Sequence, residues 1–401
     1  MYSDVIRNTQ YLIHNTSMKI LFTRFPLESR FGGAEVQTLA LMKGLKERGH
    51  EVAFMGSCST LLKKVAGCKL QIFELDIGIP PVSKVAAFTF LWRKLSMGKK
   101  IRSAICNLQL SSRPDVVCML SLSEKLLLTK HLTEEGIRVI WIEHDRIGRW
   151  LTRNPWLPKL RKLSELATTV VVSDLSKKIY EKLEFQNVIA IPNGIDTSRL
   201  SPPPLAPPPR GEGKLRIGTI ARLSNDKGID VLIDAIRDLP DISLTIVGTG
   251  PERVKLEAQL CSGRSRSSAT ELGPSNQQST IILPLVDDLA SFYRSLDLFV
   301  LPSREHDPFG LVAGEAMMMG IPTIVTDACG IAGYLQNGRD AVIVPAGSAK
   351  DLRNAILDLK NNPEKRALMG AIGKGTAEES FSMERMVRSY EIVLKENKTV
   401  E

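Results

Sequence analysis

Short apolar runs rich in Val, Ile, Leu and Phe recur at residues 19–25, 51–55, 115–119, 138–142 and 168–172, and again at 215–220, 243–247, 298–301 and 323–325. Each is bounded by glycine, by polar residues or by a stretch of helical period, the pattern of buried strands. Helical period appears first after Gly32-Gly33, with Val36, Leu39, Ala40 and Leu45 on one side and a stop at Arg48-Gly49. It returns at residues 228–239, 351–359 and 383–395. Strands alternating with helices predict mostly parallel sheets covered on both faces, and the pattern runs through the chain twice.

Between the two runs, residues 201–213 (SPPPLAPPPRGEG) carry six prolines and no apolar periodicity, the composition of a stiff linker. The expected organisation is a disordered extension at 1–17, an α/β domain at 18–200, the linker at 201–213, a second α/β domain at 214–375 and a closing helix within 376–401 that crosses back to the first domain. Residues 261–280 are polar and read as a surface loop. Ligands of open α/β sheets bind at the carboxyl ends of strands, so a site between two such domains is expected.

Composition narrows the class. The chain has 401 residues, 43% hydrophobic and 24% charged, which excludes a wholly disordered, collagen-like or disulfide-stapled protein. Residues 1–200 hold 30 Lys+Arg against 18 Asp+Glu, a balance of +12, whereas residues 201–401 hold 23 against 26, a balance of −3. The basic front half either meets an anionic partner or is simply a solvated surface. The six cysteines form no CxxC pair, so neither a zinc cluster nor a redox motif is expected. No signal peptide or spanning segment is read, and a cytoplasmic location follows, with peripheral attachment to the inner face of the membrane.

Two clusters carry candidate chemistry. In residues 303–317 (SREHDPFGLVAGEAM) a strand, a short loop and a helix starting near Phe309 would aim free backbone N–H groups at an anion, and Glu315 would reach a ribose hydroxyl beside it. Taken alone, Glu315 is equally a surface helix residue. In residues 217–228 (IGTIARLSNDKG) Arg222 leaves the end of a strand and Lys227 precedes a helix, so the two cations can converge on a diphosphate. Gly32-Gly33 and Gly248-Thr249-Gly250 either approach a phosphate or make turns, and neither forms GxGxxG.

The ordered set FGGAEVQTLALMKGLKERGHEV, IPNGIDTSRLSP, IARLSNDKGID, IVGTGP and DPFGLVAGEAMMMGIPTIVTD resembles the GT-B glycosyltransferases of family 4 over nearly the whole chain. The resemblance implies two Rossmann-like domains facing a cleft, the first for the acceptor and the second for a nucleotide-sugar. It implies a retaining transferase moving a sugar from a UDP- or GDP-sugar to a saccharide or lipid-linked acceptor in cell-envelope polysaccharide or glycolipid synthesis. Arg222 and Lys227 match the family's diphosphate-binding pair, and Glu315 its second EX7E glutamate, expected on the ribose. Phe309, Gly310 and Leu311 match the loop whose backbone meets sugar and phosphate. Gly33 matches the glycine loop of the first domain, and His144 a histidine near the reaction centre; a single His is also often a core residue. The first EX7E glutamate is replaced by Asp307, which shifts the acceptor atom by about 1.5 Å, and Glu305 is the other candidate for that place.

No DxD motif is present, so no metal or cofactor is expected, with protein cations in its stead. Residues 84–102 and 146–162 interleave Trp, Phe and Leu with basic residues, the composition of an anionic membrane interface or of a packed core. Other classes fit less well. A non-catalytic nucleotide-sugar binder or scaffold would share the cations but not transfer. A nucleic-acid binder would show a basic helix-turn-helix or zinc signal, and neither is present. Residues 370–376 (GAIGKGT) have the wrong spacing for a phosphate loop.

Overall fold

The computed structural model describes residues 17–26, 32–68, 70–107, 113–200, 213–262, 279–286 and 288–396. The expected extension up to residue 16, the proline-rich residues 201–212 and residues 263–278 of the expected loop lie outside them. Two compact units are present, one of Met1–Ile142 with Asn154–Thr169 and one of Glu143–Arg153 with Val170–Glu401.

The first sheet has seven strands: β1 (Lys19–Arg24), β2 (Glu51–Gly56), β3 (Gln71–Glu74), β4 (Val116–Met119), β5 (Arg138–Glu143), β6 (Thr168–Val171) and β7 (Val188–Ala190). Their spatial order is β3-β2-β1-β4-β5-β6-β7. The second sheet has six: β8 (Leu215–Ile220), β9 (Ile242–Val247), β10 (Ser279–Leu283), β11 (Leu298–Leu301), β12 (Thr323–Thr326) and β13 (Val342–Val344). Its order is β10-β9-β8-β11-β12-β13. In both, the chain steps outward in one direction and then restarts beside the first strand, the Rossmann winding. β1 pairs with both β2 and β4, and β8 with both β9 and β11, all in parallel. The switch points where a ligand crevice forms therefore lie after β1/β4 and after β8/β11.

The central strands are continuous apolar runs because both faces are covered; Val300, Ile324 and Ile246 have no exposed surface. The helix after β1, Gly33–Glu47, turns a different side inward from the one its apolar spacing suggests. Glu35, Gln37, Thr38, Leu41, Met42 and Leu45 are buried, while Val36, Leu39 and Ala40 are only partly covered. The helix is rotated so that Glu35 meets the buried Arg24 at the end of β1, and that ion pair outranks three apolar side chains.

At the carboxyl end the helix Pro363–Ser380 is followed by a separate helix, Met383–Lys395. The turn between them meets residues 193–195: the Ile195 N–H donates to the Phe381 carbonyl at 2.8 Å, and Gly194 has room for no Cβ because Met383 Cα would lie 2.8 Å from it. Residues 370–376 sit inside the Pro363–Ser380 helix, where a Cβ at Gly370 would lie 2.4 Å from the Gly320 carbonyl. Gly370 and Gly373 serve close packing.

Candidate active site

The loop after β8 and the loop after β11 lie side by side at the switch point of the second sheet. Residues 221–228 leave β8 and end at Gly228, whose left-handed backbone (φ 63°) turns the chain into the helix Ile229–Ile236. A Cβ there would stand 2.1 Å from the Pro302 carbonyl, so only glycine lets the two loops touch. The contact is reinforced by the backbone: Arg304 N–H donates to the Asp226 carbonyl at 2.8 Å. Arg304 also reaches Asn225 Oδ1 at 2.6 Å and Asp230 Oδ2 at 2.5 Å.

Lys227 projects from this junction and donates through Nζ to Asp307 Oδ2 at 2.6 Å. The same oxygen accepts from Ser303 Oγ at 3.2 Å. Asp307 is 7% exposed and its backbone is fixed to the next loop, by Asp307 N–H to the Ala328 carbonyl and Gly330 N–H to its own carbonyl, both at 2.9 Å. Glu305, two residues earlier, is exposed and pairs with Arg146 instead. Of the two carboxylates weighed for the departed glutamate, Asp307 is the one beside Lys227. Arg222, on the same loop as Lys227, is exposed and forms no ion pair with any described residue.

Arg146 was not read from the sequence as a site residue. It follows β5, and it pairs with Asp226 at 3.2 Å as well as with Glu305. Burial raises the Asp226 carboxyl, but its bond to Ser224 and the charges of Arg146 and Lys227 outweigh that and hold it below the usual carboxylate range. Arg146, Asp226, Lys227 and Asp307 thus form an alternating chain of charges. His306 stands among them with Nε2 3.0 Å from Ser176 Oγ. Burial lowers its pKa to about 4, and Arg146 and Lys227 push the same way against Asp307, so the ring is neutral at pH 7.

The helix expected to begin near Phe309 begins at Leu311 and runs to Met318, with Gly310 as its N-cap in a left-handed conformation. Its first N–H groups have no acceptor inside the helix, which makes that end a site for negative charge. Phe309 is a core residue, edge-on to Phe381 at 5.4 Å, and its carbonyl accepts from the Ile331 N–H at 2.6 Å, so its side chain does not line a ligand site. Glu315 is half-buried and accepts from Tyr293 Oη at 2.8 Å, which fixes its orientation. The glycines of residues 248–250 are explained by packing: a Cβ on Gly250 would lie 2.2 Å from the Leu223 carbonyl. Leu223 N–H donates to the Thr249 carbonyl at 2.9 Å, so this turn supports the loop that carries Arg222.

His144 follows β5 and is half-buried, and by contacts it counts with the second unit. Gly33 belongs to the first unit, where it opens the Gly33–Glu47 helix at the switch point after β1. The Gly32 N–H donates to Glu35 Oε2 at 2.9 Å, and Glu35 also holds Arg24. Beside it, Phe25 N–H donates to Ser121 Oγ at 2.9 Å and Ser121 N–H to Glu124 Oε1 at 2.7 Å. Glu124 has no exposed surface, and burial lifts its pKa to about 7. This polar cluster went unread, although Ser121-Leu-Ser-Glu124 carries the spacing of a helix capping box and Glu35 makes the glutamate half of one on the Gly32 N–H. Among the described residues no group of three or more His, Cys, Asp or Glu is arranged to hold a metal ion.

Two family models match the chain: Glycosyltransferase Family 4 over residues 31–199 and Glycosyl transferases group 1 over residues 206–376. The chain is a GT-B glycosyltransferase of family 4. It is therefore a glycosyl-transferring enzyme. A phosphatidyl-myo-inositol mannosyltransferase of Mycobacterium leprae is 30% identical over 62% of this chain and 66% of its own length. The corresponding Mycolicibacterium smegmatis protein is 25% identical over 84% of this glycosyltransferase and 83% of its own length. Among solved structures, Anabaena HepE in complex with UDP and glucose is similar with a TM-score of 0.72 at 17% identity, covering 94% of this chain and 99% of that one.

Proposed function

We propose that this glycosyltransferase moves a sugar from a UDP- or GDP-sugar, with retention of anomeric configuration, to a saccharide or lipid-linked acceptor in cell-envelope polysaccharide or glycolipid synthesis, at an anionic membrane surface. The observation that carries the reading is the Lys227 ammonium, on the same loop as the exposed Arg222 and braced at 2.6 Å by Asp307, at the switch point of the second sheet. Relatives whose names refer to phosphatidyl-myo-inositol, lipopolysaccharide core biosynthesis and capsular polysaccharide biosynthesis support the envelope assignment.

The chemistry follows from charge. The bond between the anomeric carbon and the diphosphate oxygen breaks with its electron pair on that oxygen, leaving positive charge on the sugar. Arg222, Lys227 and the N–H groups opening the Leu311–Met318 helix hold the growing negative charge. The acceptor oxygen bonds to the anomeric carbon from the same face, and its proton passes to the departing phosphate. Asp307 accepts from a sugar hydroxyl and Glu315 from the ribose. His306, neutral at working pH, adds no positive charge that would compete for the leaving group. In this reading the two cations do the work that a metal ion does elsewhere.

The test is nucleoside diphosphate release from a panel of UDP-, GDP- and ADP-sugars, with and without a membrane-lipid extract. Release from one donor, increased by the extract and abolished by Arg222→Ala, is expected. Binding of a donor with no release under any condition would make the protein a binder, and no binding at all would remove the assignment of Arg222, Lys227 and Glu315.

A further inference from the structure

The 23-residue helix Lys84–Cys106 contains six Lys and Arg residues and no Asp or Glu. One side is the core side, with Ala86, Ala87, Phe90, Met97, Ile101 and Ile105 buried. Trp156 closes that side: its ring lies edge-on to Phe90 at 5.2 Å and its Nε1 donates to the Ala87 carbonyl at 2.9 Å. The opposite side is apolar and uncovered. Val85 is 75% exposed, Phe88 65%, Trp92 65% and Leu95 70%. Their spacing of three, four and three residues stacks them in one stripe, and Phe88 and Trp92 touch edge-on at 4.9 Å. The stripe continues in the last turns as Lys99, Lys100 and Arg102.

The other segment of similar composition behaves differently. In residues 146–162 Leu151, Leu157 and Leu160 are buried and Ile147, Trp150 and Trp156 are partly covered, so none of these apolar side chains is exposed. The composition of both segments suited a membrane interface, yet only one of them presents it.

We infer that the Val85, Phe88, Trp92 and Leu95 stripe, with Lys99, Lys100 and Arg102 beyond it, seats the protein on the surface of an anionic bilayer. This rests on the proposed membrane-side acceptor and names the face that reaches it. The occupant follows from charge: the helix carries six cations and no carboxylate, and although Arg93 is bonded to the Ile79 carbonyl and Lys94 lies over Trp156, Lys99, Lys100 and Arg102 remain beyond the stripe to meet a sheet of lipid phosphates. Trp and Phe are the side chains that partition to the headgroup level. The helix lies in the interface, because among the described residues no helix is long and apolar enough to cross a membrane.

The test is sedimentation of the full chain with phosphatidylcholine vesicles, with and without phosphatidylglycerol, at low and high salt. Binding is expected on the anionic vesicles alone and should weaken as salt rises. Phe88→Ser with Trp92→Ser should weaken it by about tenfold or more, since each side chain loses its buried apolar area. Lys99→Gln with Lys100→Gln should weaken it by about 25-fold, at roughly fivefold per cation. All four side chains are exposed, so melting curves should not move. Nucleoside diphosphate release without lipid should be unchanged, which separates a failed docking face from a failed transferase. Equal binding to neutral and anionic vesicles, no binding at low salt, or wild-type binding by the double variants would overturn the inference. A dimer that the Phe88/Trp92 variant dissociates would instead assign the face to a second copy of the chain.

Discussion

Replacing Lys227 with alanine separates the two jobs its ammonium performs. In the structure Nζ is 2.6 Å from Asp307 Oδ2, and the other donor given to that oxygen is Ser303 Oγ at 3.2 Å. With Asp307 only 7% exposed, truncation leaves a nearly buried carboxylate on one hydroxyl, at a stability cost of about 1–3 kcal/mol. Transfer loses more, because a preorganised cation facing the leaving diphosphate is worth about 10²- to 10³-fold, or roughly 3–4 kcal/mol. The double variant Lys227→Ala/Asp307→Asn removes the stranded charge and should recover most of the stability without recovering turnover. Urea unfolding reads the first quantity and nucleoside diphosphate release the second. Turnover of Lys227→Ala within tenfold of wild type, or turnover restored by the double variant, would refute the assignment.

Other consequences are open to the same two assays. Gly228→Ala should destabilise the second unit by about 2–4 kcal/mol, since its Cβ would meet the Pro302 carbonyl at 2.1 Å and its φ is 63°; an unchanged melting temperature would contradict the loop contact. Tyr293→Phe should raise the donor KM by about fivefold with little change in kcat, through loss of the 2.8 Å bond that orients Glu315. Folded Glu124 keeps its proton up to about pH 7 although the unfolded group loses it near 4.5, so stability falls as pH rises through that window. The drop attributable to Glu124 is about 3 kcal/mol, and Glu124→Gln should flatten it; an identical pH slope in urea unfolding would count against the buried, raised carboxyl. Arg146→Ala should slow transfer by about tenfold by freeing the Asp226 loop that carries Lys227, and an unchanged rate would remove Arg146 from the site.

The strands that could be read and those that could not divide by position. The nine runs visible in the sequence are the interior strands, covered on both faces and therefore mostly apolar. The strands that escaped, Gln71–Glu74, Val188–Ala190, Ser279–Leu283 and Val342–Val344, are the four sheet edges. An edge is partly exposed and short: Gln71–Glu74 has no buried residue, and Val188–Ala190 and Val342–Val344 are apolar but only three residues long. The site shows the same divide. Arg222, Lys227 and Glu315 could be singled out because each stands at a strand end or near a helix start, and Asp307 because it holds a motif position of the family. Arg146 and Tyr293 were not, since each acts by reaching across more than twenty residues of sequence to a partner that only folding supplies. Arg24 and Glu35 were hidden by the rule that charges lie outside; they are buried because they pair.

The most direct measurement is calorimetric titration of UDP, GDP and ADP into the wild-type protein and Arg222→Ala. One nucleoside diphosphate should bind the wild type, and Arg222→Ala should bind it at least tenfold more weakly while melting at the same temperature, because the guanidinium is exposed and forms no ion pair among the described residues. Equal affinity in the two proteins would mean that the diphosphate lies elsewhere, and the account of the β8/β11 switch point as the donor site would be wrong.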